Sequence, residues 1–191
     1  MKLTDGMLLY HGSYAPVEKV DLNKCDAGKD FGRGFYLTAD KKQAQNFIKT
    51  SLLKAKVRKV IPDNQNYGYV TCYRYRTISN DIPVFEFSDA NTEWLWFIAL
   101  NRRNKLAEAL SSVINKTIFN SEIIIGKIAN DTTNPVITAY LNGLYGEVSD
   151  ERSAEIAISL LLPNRLKEQY CFLTERAINC LETVEVYRYE L

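Results

Sequence analysis

One histidine in 191 residues rules out the metal centres that proteins assemble from several imidazoles. The four cysteines, Cys25, Cys72, Cys171 and Cys180, include no Cys-x-x-Cys pair. That removes the common zinc and disulfide frameworks and leaves thiols whose expected place is mostly the core. No apolar run approaches the roughly 20 residues that span a bilayer, and no basic stretch followed by an apolar one marks a secretion signal. Charge of one sign is missing too: 24 basic side chains nearly cancel 23 acidic ones, and a net charge of +1 gives no strong steering toward nucleic acid. The glycines of "GKDFGRGF" do not form the dinucleotide fingerprint G-x-G-x-x-G, and no P-loop lysine follows a glycine-rich turn. A soluble protein without a membrane segment is expected, cytoplasmic or delivered to the cytosol of a target cell.

What is present is a dense succession of short elements. At 46% hydrophobic residues the chain can bury one substantial core, so a single domain over residues 1–191 is expected. "MLLY" and "GFYLT" read as short strands bounded by glycine or polar residues. "DKKQAQNFIKTSLLKAKV" reads as a helix capped by Asp40, with Ala44, Phe47, Ile48, Leu52 and Ala55 on one face. "YVTCYRYR" is a tyrosine-rich strand, "NTEWLWFIALNRR" a helix burying Trp94, Phe97 and Ile98, and "EIIIGKI" a buried strand. Trp94 and Trp96 cannot both face the core of one straight helix, so Trp94 is assigned to packing and a groove is left for the other. Helices are expected near "NPVITAYLNG" and "ERSAEIAISLLL", the second stopped by Pro163. "QYCFL" and "TVEVYRYE" close the chain as strands. Short strands at irregular intervals point to an α+β fold rather than a doubly wound parallel sheet.

The residues able to do chemistry are few. His11 stands at the end of the expected strand "MLLY", just before Gly12, and by position alone is a hydrogen-bonded strand-end residue. Ser13 shares its face if the segment is extended, but no nucleophile elbow accompanies it. No cysteine sits in a nucleophile context, so a hydrolase built on His11 ranks last. Tyr36 follows Gly32 and Gly34, which permit a tight turn before its strand. Arg33 suits a phosphate or plain solvent, and Asp30 is equally open. Asp131, in "IIIGKIAND", reads first as a helix cap before "TTNPVITAY".

Taken in order, "LYHGS", "DFGRGFYLTADKKQAQNF" and "LLLPNRLKEQYCFL" resemble the catalytic core of ADP-ribosyltransferases of the diphtheria-toxin and poly(ADP-ribose) polymerase type. Over residues 8 to 181 or so, the chain also resembles a bacterial domain-of-unknown-function family. The shared elements are "LYHGS", "DFGRGFYLT", a Trp-containing helix ending in "NR", "IG-x-x-AND" and a late "Q-x-x-F". The first resemblance implies an ADP-ribosyltransferase-like split pair of small antiparallel sheets flanked by helices, with NAD as substrate and no metal. It implies that His11 orients the adenosine-side ribose and that Gly12 meets the nicotinamide carboxamide through its backbone. Ser13 would add a hydroxyl hydrogen bond nearby, Gly34 would count among the NAD-binding residues, and Tyr36 would stack on the nicotinamide ring. Phe47 falls where many such enzymes place a second stacking aromatic, although its spacing suits the core equally.

The family's glutamate holds the nicotinamide ribose and stabilises positive charge as the glycosidic bond breaks. Its position aligns with Gln169. Glu168 is adjacent, but a regular strand points it to the opposite face, and only a bulge or register shift would turn it inward. The resemblance therefore implies an NAD-dependent mono-ADP-ribosyltransferase rather than a polymerase. Its acceptor would be an unidentified protein or nucleic acid, and "RRNK" at residues 102–105 offers a small basic groove. A bacterial toxin–antitoxin or conflict system is the expected setting, with an antitoxin or inhibitor protein as partner. Two alternatives stand beside it: a non-catalytic module that binds NAD or ADP-ribose, and an NAD glycohydrolase in which water is the acceptor.

Overall fold

In a computed structural model, which describes residues 2–78, 81–103, 106–110, 112–129, 133–163 and 166–191, the expected elements form in sequence. The first half contains β1 (Leu8–Ser13), β2 (Phe35–Leu37), α1 (Lys41–Val57), β3 (Tyr67–Tyr75), β4 (Val84–Glu86) and α2 (Thr92–Arg102). The second half contains α3 (Ala107–Leu110), β5 (Ile123–Lys127), α4 (Asn134–Leu141), α5 (Glu151–Leu161), β6 (Glu168–Phe172), α6 (Glu175–Ile178) and β7 (Leu181–Glu190). The fold is α+β, with two sheets. Contacts divide the chain into two compact units, Met1–Asp21 with Tyr36–Asp81 and Glu175–Leu191, and Leu22–Phe35 with Ile82–Thr174. Asp131 and residues 104 and 105 lie outside the described residues.

The first unit is a three-stranded antiparallel sheet, β1-β3-β7, with α1 packed on it. β1 does not stop at Tyr10. It runs through Ser13, with His11 opposite Thr71 and Gly12 opposite Val70, so the histidine is inside the strand and not at its end. The extension follows from the partner, since the long β3 offers ladder positions that the short apolar run does not announce. β7 pairs along the other edge of β3, with a bulge where Cys72 faces Glu185 and Tyr73 faces Thr183.

α1 begins where the sequence says it should. Asp40 accepts hydrogen bonds from the N–H groups of Lys42 and Gln43, satisfying two donors that a helix start leaves unpaired. Ala44, Ile48, Leu52 and Ala55 form the buried face, and the first three pack with Val70. Phe47 does not join them; it is 46% exposed. Adjacent helical positions are turned by about 100°, which carries residue 47 away from the stripe centred on Ile48. The helix approaches β1 so closely that a Cβ on Gly12 would lie 1.9 Å from the Ala44 carbonyl oxygen.

The second unit contains the sheet order β6-β5-β4, with β2, whose first residue Phe35 belongs to this unit, on the outer edge beside β6. β5 runs antiparallel to β6 and parallel to β4. Ile123, Ile124, Ile125, Tyr170 and Phe172 are buried, along with Trp94, Leu95 and Ile98 of α2. Each such side chain contributes roughly 1.5–3 kcal/mol relative to exposure. Phe31, Phe87 and Phe97 form an aromatic cluster, with ring centroids 5.7–6.2 Å apart. Gly126 makes room for it, since a Cβ there would lie 2.9 Å from the ring of Phe31. Trp94 is fully buried and donates to the Lys127 carbonyl, whereas Trp96 is partly exposed and donates to that of Val148.

The two glycines before β2 divide their work differently from the expected turn. Gly32 has φ +87, a left-handed conformation that favours glycine. Gly34 has no such torsion; a Cβ on it would lie 2.5 Å from the Cys171 sulfur, so close approach to β6 is its constraint. Cys72, Cys171 and Cys180 are buried thiols, and Cys25 is partly exposed. Among the described residues no helix is long and apolar enough to cross a membrane.

Gly12→Ala is expected to destabilise the protein by about 1–3 kcal/mol, because the new methyl group meets backbone that cannot rotate away. A denaturant titration checks this, and an unchanged midpoint would contradict the close approach.

Candidate functional site

β1 and β2 begin to pair and then part. Tyr10 and Thr38 exchange two backbone hydrogen bonds, 2.8 and 3.0 Å long, and form an isolated bridge. Continuing that antiparallel register would set Gly12 opposite Tyr36, yet no ladder joins these strands. Instead Nδ1 of His11 lies 2.9 Å from the carbonyl oxygen of Tyr36. The imidazole thus occupies an acceptor that a strand amide would otherwise use.

This substitution leaves a gap in the ladder past the bridge. Strand alternation turns the N–H and C=O of Gly12 to the same edge as those of Tyr10. Past the bridge they have no strand partner there. A buried donor and acceptor side by side, unclaimed by a strand, mark a place where a ligand or water completes the pairing. Gly12 and Ser13 are buried, while His11 and Tyr36 are each partly exposed. Phe35 and Leu37 point into the interior, so the intervening Tyr36 side chain takes the opposite face of β2.

The protonation state of His11 follows from its surroundings. Burial pushes its pKa below the ordinary value, and the Tyr36 carbonyl, which favours a protonated ring, only partly opposes this. Because a carbonyl can only accept, Nδ1 carries the proton and the neutral ring presents Nε2 as an acceptor.

In the second unit, a carboxylate assembles several distant segments. Asp30 Oδ1 accepts from Arg102 Nε at 3.1 Å and from Nη2 at 2.7 Å. Oδ2 accepts from the Ala129 amide and from Gln169 Nε2, both at 3.0 Å. Arg102 also donates to the Ala129 carbonyl, and Asn101 donates to the Asp30 carbonyl. Gln169 is 7% exposed, and its amide nitrogen reaches the Lys127 carbonyl at 3.3 Å. Its carboxamide is therefore oriented: nitrogen toward two groups that can only accept.

Glu168 is set apart from Gln169 by an unbroken ladder, in which Gly126 faces Gln169 and Lys127 faces Glu168. No bulge turns it inward, and its carboxylate lies 3.9 Å from Lys127 Nζ. Arg33 is exposed. Of the expected site residues, His11, Gly12 and Tyr36 are brought together in the first unit, with Ser13 next in the strand. Gln169 and Gly34 belong to the second unit. The sequence alone leaves Asp30 open and does not single out Asn101, Arg102 and Ala129 as members of one polar cluster. The signal was available only as the separate elements "DFGRG", "NR", "IG-x-x-A" and "Q-x-x-F", each of which contributes a member.

The chain belongs to a family described as Protein of unknown function (DUF3990), which it matches over residues 7–183. Neither a search of curated proteins nor one of solved structures returns a match.

Two outcomes are expected from this geometry. Since the folded state holds His11 neutral, its contribution to stability is complete above about pH 6.5, the ordinary imidazole value, and is lost as the pH falls and the unfolded chain takes up the proton more readily. Thermal melts between about pH 7.5 and 5.5 should fall less steeply for His11→Gln than for wild type. Parallel curves would contradict the neutral ring. Gln169→Glu should lower stability at neutral pH by about 2–4 kcal/mol, because it replaces a donor to Asp30 with a second carboxylate. The deficit should shrink as the pH approaches about 4.3, where a protonated glutamic acid can donate again. A variant as stable as wild type at pH 7.5 would remove the Asp30–Gln169 bond from the account.

Proposed function

We propose that this protein binds NAD by its nicotinamide end and transfers ADP-ribose to a macromolecular acceptor, releasing nicotinamide. The observation that carries this reading is the gap between β1 and β2. Gly12 turns an N–H and a C=O toward one strand edge with no strand partner, a match for the C=O and NH₂ of a carboxamide. The two residues that flank the gap, His11 and Tyr36, are those that the resemblance to ADP-ribosyltransferases assigns to NAD, and they are bonded to each other. The ring of Tyr36 would cover the pyridine, and the Nε2 acceptor of neutral His11 would take a ribose hydroxyl.

In the reaction the bond between C1′ of the ribose and the pyridine nitrogen breaks, and its electron pair leaves with nicotinamide. An acceptor nucleophile forms the new bond to C1′ and releases its proton. Positive charge develops on the ribose in the transition state. The position that the resemblance gives to a glutamate is here the amide of Gln169, which supplies no net charge. A carboxylate about 4 Å from such a centre is worth on the order of 4 kcal/mol at an effective dielectric near 20, or roughly a thousandfold in rate. Slow, single transfer is therefore the form of the activity expected.

The engagement of the Gln169 amide with Asp30 favours a second reading, a module that binds NAD or ADP-ribose without turning it over. One experiment separates them. Wild-type protein with radiolabelled NAD is expected to release nicotinamide and to label an acceptor in cell extract, while Tyr36→Ala does so at least tenfold more slowly. Calorimetric binding without nicotinamide release would support the module. Nicotinamide release without labelling would indicate water as the acceptor, a glycohydrolase. Equal behaviour of wild type and Tyr36→Ala would overturn the site.

A further inference from the structure

Gln43 carries an oxygen that the fold leaves without use. It is the third residue of α1, and the cap residue Asp40 accepts from its N–H at 3.1 Å. A glutamine at this position ordinarily returns the bond, its side-chain oxygen accepting the backbone N–H of the cap residue. Here that N–H is already taken: Asp40 donates it to Oγ1 of Thr38 at 3.1 Å. Oε1 of Gln43 is nevertheless sealed from solvent, and among the described residues no donor reaches it. A buried acceptor left unpaired is costly, and such groups mark places that a ligand or a water completes.

The contacts of α1 fix the side on which Gln43 stands. The sheet beneath the helix runs in the order β1-β3-β7. Lys41 leans toward β7, with Nζ 3.1 Å from the centre of the Tyr187 ring. Ala44 lies over β1, its carbonyl against Gly12. Residues 41 and 43 are about 200° apart around a helix, so Gln43 falls on the flank away from β7, toward the free edge of β1. The cap enters from that same edge, because Thr38 bridges Tyr10. There the N–H and C=O of Gly12 have no strand partner. Gln43, one residue from the contact between Ala44 and Gly12, adds a third polar group beside the gap.

We propose that Gln43 reads the amide of nicotinamide, its Oε1 accepting one N–H of the carboxamide. The proposal rests on the reading of the gap as a nicotinamide site. A carboxamide nitrogen carries two donors. The Gly12 carbonyl takes one, and the other needs a second acceptor in a place closed to water. Two acceptors facing the same position admit an NH₂ group and reject a carboxylate or a methyl ketone, which leave them unpaired. Gln43 is then a specificity-determining residue, separating the amide from its acid and from apolar isosteres.

Binding calorimetry of the full chain tests this with NAD and with its 3-acetylpyridine analogue, in which CH₃ replaces NH₂ and the carbonyl stays. Wild type is expected to bind NAD at least tenfold more tightly than the analogue. Gln43→Met should weaken NAD about tenfold and the analogue less than about twofold, so that the preference narrows. Without ligand, Gln43→Met should melt no lower than wild type, since it removes an unpaired acceptor rather than a bond. Gln43→Ala, which a helix tolerates, gives the same binding readout if the methionine variant fails to fold. Gln43→Glu keeps an acceptor and should keep the preference. An unchanged preference in Gln43→Met and Gln43→Ala overturns the proposal, whereas Tyr36→Ala that still weakens NAD binding leaves the nicotinamide site standing. A wild type that binds neither dinucleotide overturns both.

Discussion

A carboxylate with four donors around it is costly to assemble and more costly to disturb. Removing a buried charge from water costs several kcal/mol, and only close partners offset it. Asp30 meets that condition through the fork of Arg102, one backbone amide and one side-chain amide. The result ties the loop before β2 to the end of α2, the end of β5 and the start of β6. Phe31, next in sequence, can then enter the aromatic cluster beside Gly126, and Gly34 can lie against Cys171. A salt bridge of this kind contributes more to choosing one arrangement than to net stability, since an apolar replacement of the whole group can be neutral.

The first unit relies on proximity rather than charge. Ala44 approaches Gly12 more closely than any side chain would permit. That contact sets α1 on β1, and strand alternation then puts His11 on the other face of the sheet. There its ring takes the Tyr36 carbonyl and the ladder between β1 and β2 ends after one bridge. A charged imidazole would suit this place badly, because burial disfavours the cation. One glycine thus serves two ends: its missing side chain admits the helix, and its backbone faces the gap on which the proposed function depends.

What could be read from the sequence was local. Asp40 announces α1 because a cap acts on residues two and three positions away, and the alternation of β3 and the isoleucines of β5 are equally short-range signals. The Asp30 cluster is not of that kind. Its partners stand 72, 99 and 139 residues away, and no spacing rule links an aspartate before a phenylalanine to an arginine at a helix end. The same reason explains His11. Its strand continues because β3 is long enough to pair with it, which is a tertiary fact. Phe47 went astray differently: helical periodicity defines a face only to within one residue at its edge, and a bulky residue there is exposed as readily as it is buried.

Gln169 is where these lines meet. If its position is compared with the glutamate of the resembling enzymes, the amide looks like a loss. The neighbourhood suggests a different cause. With Asp30 Oδ2 already 3.0 Å from the Gln169 nitrogen, a second carboxylate at that place would face a like charge across one hydrogen-bond length. The amide is the residue type that gives Asp30 a donor while keeping an oxygen available as an acceptor. The negative charge at this place is carried by Asp30, paired with the guanidinium of Arg102. On the proposed reading, stabilisation of a developing cation must then come from dipoles, from the stacked ring and from the ordering of the substrate. Such terms bind a dinucleotide well and accelerate its cleavage weakly, so affinity should exceed catalytic power in this protein.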